Sequence, residues 1–297
     1  MSGAGKRSSD VGASDVGVSD VGASDVGAIA VEARGGVYTV LFSRGAKKNA
    51  LTFGAYRELA ATFERLAEAS DARAVVLAGR GEAFCAGGDQ ELIIGELVDK
   101  GAAELASFAA LTARAVRAIR ALGAPVVAAV TGDAVGAGAV LAAACDLRIA
   151  SAGARFGFVF PKVGLSGADM GASWLLPRLV GLGAASELLL FGELIGAERA
   201  QQLGLVNRVS PSAGEARELA EKWARKLARG PALAHATTKR MLEEEAAMSL
   251  SDALSAEARA QALCMAHPDF EEARSARREG RSPRFAGAPA ADDGEEP

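Results

Sequence analysis

"VTGDAVGAGAVLAAACDLRIA" occupies Val130 to Ala150, and its reading decides the fold. From Gly136 to Cys145 it carries no polar side chain and nothing larger than Leu141; Asp146 follows at once. So small and apolar a run, directly after "APVVAAVTG" (124–132), reads as a helix opening from a buried strand. Small side chains let such a helix pack closely on its neighbours. Glycines at its start let the backbone approach a ligand with no Cβ in the way. "DLRIA" (146–150) is then a further strand. Strand, helix and strand in this order point to parallel strands joined by crossovers.

The same alternation precedes the stretch. "GVYTVLFS" (36–43) alternates as a strand. Residues 52–70 place Tyr56, Leu59, Phe63 and Leu66 at helical spacing behind Thr52, a candidate N-cap. "RAVVLAG" (73–79) is a short buried strand, and residues 103–121 form a helix with Leu105, Phe108, Leu111, Val116 and Ile119 on one side. After about residue 170 the pattern turns helical, over 182–191, 196–203, 213–229, 231–247, 250–266 and 268–280, with one strand, "LVNRVS" (205–210), between. The expected organisation is an α/β core over 29–210 and a helical C-terminal region over 211–287. Residues 1–28 hold four copies of a five-residue unit, SDVGA or SDVGV, each with a single valine. That is too little apolar surface to offset chain entropy, so this leader is expected to be disordered, as is the acidic tail 288–297.

A net charge of −4 with 50% hydrophobic and 24% charged residues fits a soluble globular protein and argues against a nucleic-acid surface. The three cysteines, Cys85, Cys145 and Cys264, have no metal-type or CxxC spacing and read as reduced core residues of a cytoplasmic protein. His235 and His267 read as helix-surface residues, and no metal site is expected. "SSDVGASDVG" follows Lys6 and Arg7 where a signal peptide would be apolar, and 134–145 is too short to cross a bilayer, so neither signal peptide nor membrane partner is expected.

Two segments share one local design: "VVLAGRGEAFCAGGDQEL" (75–92) and "VVAAVTGDAVGAGAVLAAACD" (126–146). Each is a buried strand, a glycine-rich turn and a helix start. A helix start leaves N–H groups unpaired and carries positive partial charge. Two such N–H groups converging on one oxygen would stabilise an oxyanion; equally, the glycines would permit helix and strand to pack closely. The second segment also matches the Thr-Gly-x-x-x-Gly-x-Gly pattern of short-chain dehydrogenases, at Thr131, Gly132, Gly136 and Gly138. Those enzymes need a Tyr-x-x-x-Lys pair, but Phe42 stands four after Tyr38 and Ala60 four after Tyr56, so that reading is rejected.

Taken in order, six segments resemble the crotonase (enoyl-CoA hydratase/isomerase) superfamily: "KKNALTFGAYREL", "GRGEAFCAGGDQEL", "PVVAAVTGDAVGAGAVLAAACDLRIAS", "FGFVFPKVGLSGADMGASWLLPRLVG", "GELIGAERAQQLGLVNRV" and "REGRSPRFAG". The resemblance spans roughly residues 29–287. It implies a spiral of ββα units, a homotrimer or dimer of trimers, and acyl-CoA thioester substrates whose coenzyme A is the only cofactor moiety. By position it makes the backbone N–H groups of Gly88 and Ala137 the oxyanion donors and sets Ala50, Ala86, Gly87, Gly88, Gly136, Ala137, Val140 and Phe160 among the residues that bind the acyl-CoA; Lys47 and Lys48 either meet the coenzyme A phosphates or form a solvated turn. Many relatives carry Lys after the glycine at 81; here it is Glu82.

The chain departs from the hydratases of that family where they use two glutamates. Val140 stands at the first position and Phe160 at the second, and neither can move a proton. Asp169 stands eight before Pro177, as an aspartate does in dienoyl-CoA isomerases of the family. It is a candidate lone base, with burial raising its pKa, or an N-cap for "MGASWLL". The expected activity is enolate stabilisation in a backbone oxyanion hole, serving isomerisation or decarboxylation. The alternatives are a non-catalytic acyl-CoA-binding subunit or scaffold and a thioester hydrolase.

Overall fold

A computed structural model describes residues 27–289. The main sheet has six strands: β1 Ile29–Arg34, β2 Val37–Phe42, β3 Ala74–Gly79, β4 Val126–Val130, β6 Leu147–Ser151 and β9 Arg208–Ser210, adjacent in that order. A smaller sheet joins β5 Ala134–Val135, β7 Arg155–Gly157 and β8 Leu194–Gly196. In the main sheet every pairing after the β1–β2 hairpin is parallel. The helices are α1 Phe53–Glu68, α2 Ala102–Ala121, α3 Ala137–Ala144, α4 Ala172–Phe191, α5 Ala197–Gln202, α6 Ala213–Ala228, α7 Ala232–Glu244, α8 Leu250–Ala266 and α9 Pro268–Glu279.

Two isolated parallel bridges, Leu51 with Gly88 and Cys85 with Ala134, extend the smaller sheet backward along the chain. Each turn of the chain therefore lays one strand in the main sheet, one short extended segment in the second layer, and then a helix. Residues 74–121 make one turn (β3, 85–88, α2), 126–144 the next (β4, β5, α3) and 147–191 the next (β6, β7, α4). This is the ββα spiral that the resemblance implied. Strand side chains alternate between two cores. Val75 and Leu77 face the spiral interior, whereas Ala74, Val76 and Ala78 face α6. There Ala216, Ala220, Ala224 and Ala228 form one fully buried stripe at i, i+4 spacing, small enough for the helix to lie close on the sheet.

Most expected elements appear within a few residues of their expected bounds, and Thr52 caps α1 by accepting a hydrogen bond from the Ala55 N–H at 3.1 Å. Several expectations need correction. β1 was not foreseen, because its outer residues are exposed and show little alternation; Gly35 and Gly36, both at positive φ, turn it into β2. β8 is a second strand in the helical half, and the expected strand 205–210 shortens to Arg208–Ser210. Within the leader expected over 1–28, Ala28 is ordered: it is buried, and its carbonyl accepts from the Ser43 N–H. Within the tail expected over 288–297, Ala288 and Pro289 make contacts: the Ala288 N–H donates to the Phe285 carbonyl, and Pro289 lies beside Gly35. The rest of both segments falls outside the described residues.

Of the histidines, His267 is the N-cap of α9, accepting from the Asp269 N–H, and His235 is half-buried against Gly230. Cys85 and Cys145 are buried, and burial raises both thiols to about 12; Cys264 is half-buried. Among the described residues α4 is the one helix long and apolar enough by composition to cross a membrane. Gly181, at φ +78, kinks it midway, and Leu175, Leu176, Ala185 and Leu188 are buried.

Candidate active site

The spiral brings the two glycine-rich turns into contact. Cys85 donates its N–H to the Asp133 carbonyl, and the Val135 N–H donates back to the Cys85 carbonyl at 2.9 Å. The glycines of these turns have separable reasons. A Cβ on Gly132 would lie 1.7 Å from the Glu82 carbonyl oxygen, and one on Gly138 would lie 2.1 Å from the Cys85 carbonyl oxygen, so both serve close packing. Gly87 (φ +90) and Gly136 (φ +54) adopt backbone that L side chains avoid. A Cβ on Gly87 would also stand 3.4 Å from the Ala137 nitrogen, a measure of how near the two turns come. At Gly88 a Cβ would meet only the Ile93 side chain, at 3.6 Å, so space does not demand glycine there.

Gly88 is held from its far side. Leu51 donates to the Gly87 carbonyl at 2.7 Å and accepts from the Asp89 N–H at 2.8 Å, the pattern of a parallel bridge. In that pattern the residue opposite, Gly88, gives its own N–H to neither, and the N–H turns away from Leu51. Ala137 is the first residue of α3, behind Gly136, and keeps a negative φ. Its N–H is one of the groups a helix start leaves unpaired. Neither the Gly88 nor the Ala137 N–H meets an acceptor among the described residues. They occupy equivalent places in consecutive turns of the spiral, each where a second-layer segment ends.

The remaining predicted residues gather on the same rim. The Ala86 N–H donates to the Lys48 carbonyl at 3.0 Å, and the Ala50 carbonyl accepts from Arg44 at 2.6 Å. Lys47 and Lys48 are exposed, as is Glu82. Asp133 is half-buried and bidentate with Arg155, which holds its carboxyl below the usual range. Val140 is fully buried one turn along α3 from Ala137, and Phe160 is buried at the start of the helical turn 160–163. Neither place offers a polar side chain.

Asp169 is not the N-cap of α4; Gly171, in a left-handed conformation, takes that position. Asp169 instead accepts the Met170 N–H at its Oδ1, 2.9 Å away, and the Ala172 N–H at its carbonyl. Burial raises its carboxyl, with the Met170 bond opposing. It lies within electrostatic reach of the buried Tyr56 hydroxyl, which burial first, and then Cys85 and Asp169, push well above its ordinary value. Cys85 in turn touches Gly138, so Asp169, Tyr56 and the paired turns form one neighbourhood.

Sequence reasoning left several supporting residues unassigned. Asn49, at φ +57 and buried, donates from Nδ2 to the carbonyls of Arg80, Ala83 and Phe84, and so shapes the loop that delivers Cys85 to Gly88. Asparagine among the lysines was the available signal, since it tolerates left-handed backbone. Arg44 bonds both Ala50 and Asp89. Asp89 caps the wide π-type turn Gln90–Gly95; burial pushes its carboxyl up, but the Leu92 and Glu91 N–H groups and Arg44 outweigh this and lower it. Arg148 was read only as part of a strand.

Comparison with known proteins identifies the family. The family model described as enoyl-CoA hydratase/isomerase matches residues 32–288. A probable enoyl-CoA hydratase from Rhodobacter capsulatus is 36% identical over 268 residues, covering 87% of this chain and 98% of its own. The 4-chlorobenzoyl coenzyme A dehalogenase-2 of an Arthrobacter species is 32% identical over 248 residues, covering 82% of this chain and 88% of its own. A solved structure from Streptomyces coelicolor A3(2), assigned by its name to the enoyl-CoA hydratases, superposes with a TM-score of 0.86 at 44% identity, covering 92% of this chain and 99% of that one. The family model and these relatives, matching along nearly the whole described length, place the chain in the enoyl-CoA hydratase/isomerase family.

Proposed function

We propose that the protein binds an acyl-CoA thioester with its carbonyl oxygen between the Gly88 and Ala137 N–H groups and stabilises the enolate formed when a bond at the α-carbon breaks. The observation that carries this is the pair of acceptor-less N–H groups on facing turns, one of them at the positive end of α3. Lys47 and Lys48, exposed on the adjoining rim, would meet the coenzyme A phosphates. Two-glutamate hydration has no support, because Val140 and Phe160 offer nothing to activate water or protonate carbon. Asp169 is the carboxylate that remains. Its burial makes it a stronger base than a solvated aspartate, suited to moving one proton in an isomerisation. The enzymatic names of the relatives favour catalysis over a scaffold.

The decisive experiment incubates the protein with enoyl-, dienoyl-, aroyl- and malonyl-type CoA thioesters and follows the products by mass spectrometry. Isomerised or decarboxylated thioesters are expected. Asp169→Asn should retain thioester binding and lose turnover by ~10²–10⁴-fold, the usual contribution of a positioned base. Undiminished turnover by the variant would remove Asp169 from the mechanism, and no turnover of any thioester by the unaltered protein would overturn the enzymatic reading.

A further inference from the structure

The helix that carries the Ala137 N–H has no side chain able to fix its position along its own axis. α3 is built only of Gly, Ala, Val and Leu, all buried. Its start is fitted by the Gly136 N–H, which donates to the Gly157 carbonyl at 2.7 Å, and by Gly138 against Cys85. Its other end, about 12 Å away for eight residues, is held mainly by the Arg148 guanidinium, with Arg120 adding one longer bond, from Nη1 to the Ala144 carbonyl at 3.4 Å. Arg148 in β6 is buried. It donates from Nη1 to the carbonyls of Ala142 and Ala143, both at 3.2 Å, and to that of Cys145, and from Nη2 to the Asp146 carbonyl at 3.3 Å. Its Nε donates to the Leu205 carbonyl at 2.6 Å, and its own backbone exchanges bonds with Asn207 at both ends.

Arg148 meets no carboxylate among the described residues. A buried cation needs compensation. Here the compensation is the negative end of α3, the carbonyls that every helix leaves unpaired at its last turn, together with the Asp146 carboxylate just beyond it, which lies within electrostatic reach. The same helix presents its positive end, at Ala137, to the gap shared with Gly88. Arginine suits this place because its planar fork spans several carbonyls at once, which the point charge of lysine does not.

We infer that Arg148 is a positioning residue for the oxyanion site: by holding the C-terminal carbonyls of α3, it sets the place and polarity of the Ala137 N–H. This rests on the reading of Gly88 and Ala137 as oxyanion donors. Arg148 touches no substrate. Its loss acts through the helix and appears as weaker polarisation of the bound thioester carbonyl rather than as weaker binding.

The test uses [1-¹³C]butyryl-CoA, a saturated thioester, and difference infrared spectroscopy of its C=O stretch, with affinity measured separately by calorimetry. The unaltered protein should shift the stretch to lower frequency on binding. Arg148→Met should bind butyryl-CoA within about threefold of the unaltered protein and lose at least half of that shift. Arg148→Lys, which keeps the charge and the fold should Arg148→Met fail to fold, should give an intermediate shift. Turnover, where measured, should fall at least tenfold in kcat for Arg148→Met with KM little changed. A full shift in Arg148→Met or in Arg148→Lys would overturn the inference and leave Arg148 a purely structural residue. Absence of a shift in the unaltered protein, with binding intact, would instead overturn the oxyanion reading itself.

Discussion

At the scale of single residues, the site depends on main-chain atoms, and the clean substitution is one that deletes a donor without deleting a side chain. Ala137 is the first residue of α3, where proline is tolerated because its missing N–H has no helical partner. Gly136 before it is not in the helical region that proline disfavours. Ala137→Pro is therefore expected to fold, to keep coenzyme A affinity, and to lower turnover by about 10²–10³-fold, the cost of one oxyanion donor in other enzymes. Steady-state kinetics beside circular dichroism would check this; undiminished turnover would remove Ala137 from the site. Asp169 adds a pH signature. A base acts ionised, and burial raises this carboxyl, so kcat/KM should climb with pH through a value above the usual carboxylate range and then level off. Stability runs the other way. A carboxyl raised in the folded state stabilises the fold fully below its unfolded value, and that contribution is lost as pH rises through the raised value. Asp169→Asn should therefore melt higher than the unaltered protein at neutral pH, with the difference vanishing in acid. Scanning calorimetry at both pH values reads this directly.

At the scale of elements, the two glycine-rich turns are one device. Their packing glycines, Gly132 and Gly138, face backbone carbonyls that cannot swing aside. Gly138→Ala is expected to destabilise by roughly 1–3 kcal/mol or more through overpacking, and to disturb activity as well, since it pushes α3 off Cys85. Gly88→Ala, which meets only a side chain at ordinary distance, should leave stability nearly unchanged. Thermal midpoints of the two variants compared side by side check the contrast; equal losses would mean that the close approach of the turns is not what the glycines serve. The positions of both turns were legible in the sequence, because strand, glycine turn and helix start each have local signatures. Which glycine serves packing and which serves conformation was not legible. That depends on the Glu82 and Cys85 carbonyls, roughly fifty residues away along the chain.

At the scale of the whole molecule, the spiral leaves apolar side chains uncovered. Leu182, Leu190 and Phe191 on α4 and Leu254 and Leu263 on α8 are each more than half exposed. Exposed apolar side chains in such number suit an interaction surface, and we propose that they meet other copies of the chain, as the resemblance implies for the family. Sedimentation equilibrium should give three or six times the 30.2 kDa chain mass. The double variant Leu190→Glu with Phe191→Glu should shift the protein toward the single-chain mass. A monomeric unaltered protein would leave this face to another partner.

The sequence by itself determined what is local. The alternation of strands and helices, the Thr52 cap, the absence of a carboxylate at Val140 and Phe160, and the two glycine turns all follow from near neighbours in the chain. It also carried the family, because motif order survives without coordinates. Only the tertiary structure showed that the two glycine turns lie against each other with the Gly88 and Ala137 N–H groups lacking acceptors among the described residues. It also showed that Asp169 supplies a backbone acceptor and a half-buried carboxylate rather than a cap, and that Arg148 closes the far end of α3. The physical reason is common to all three. Hydrogen-bond direction and burial depend on consecutive turns of the spiral lying against one another, and no single turn encodes where its neighbour's carbonyls will fall.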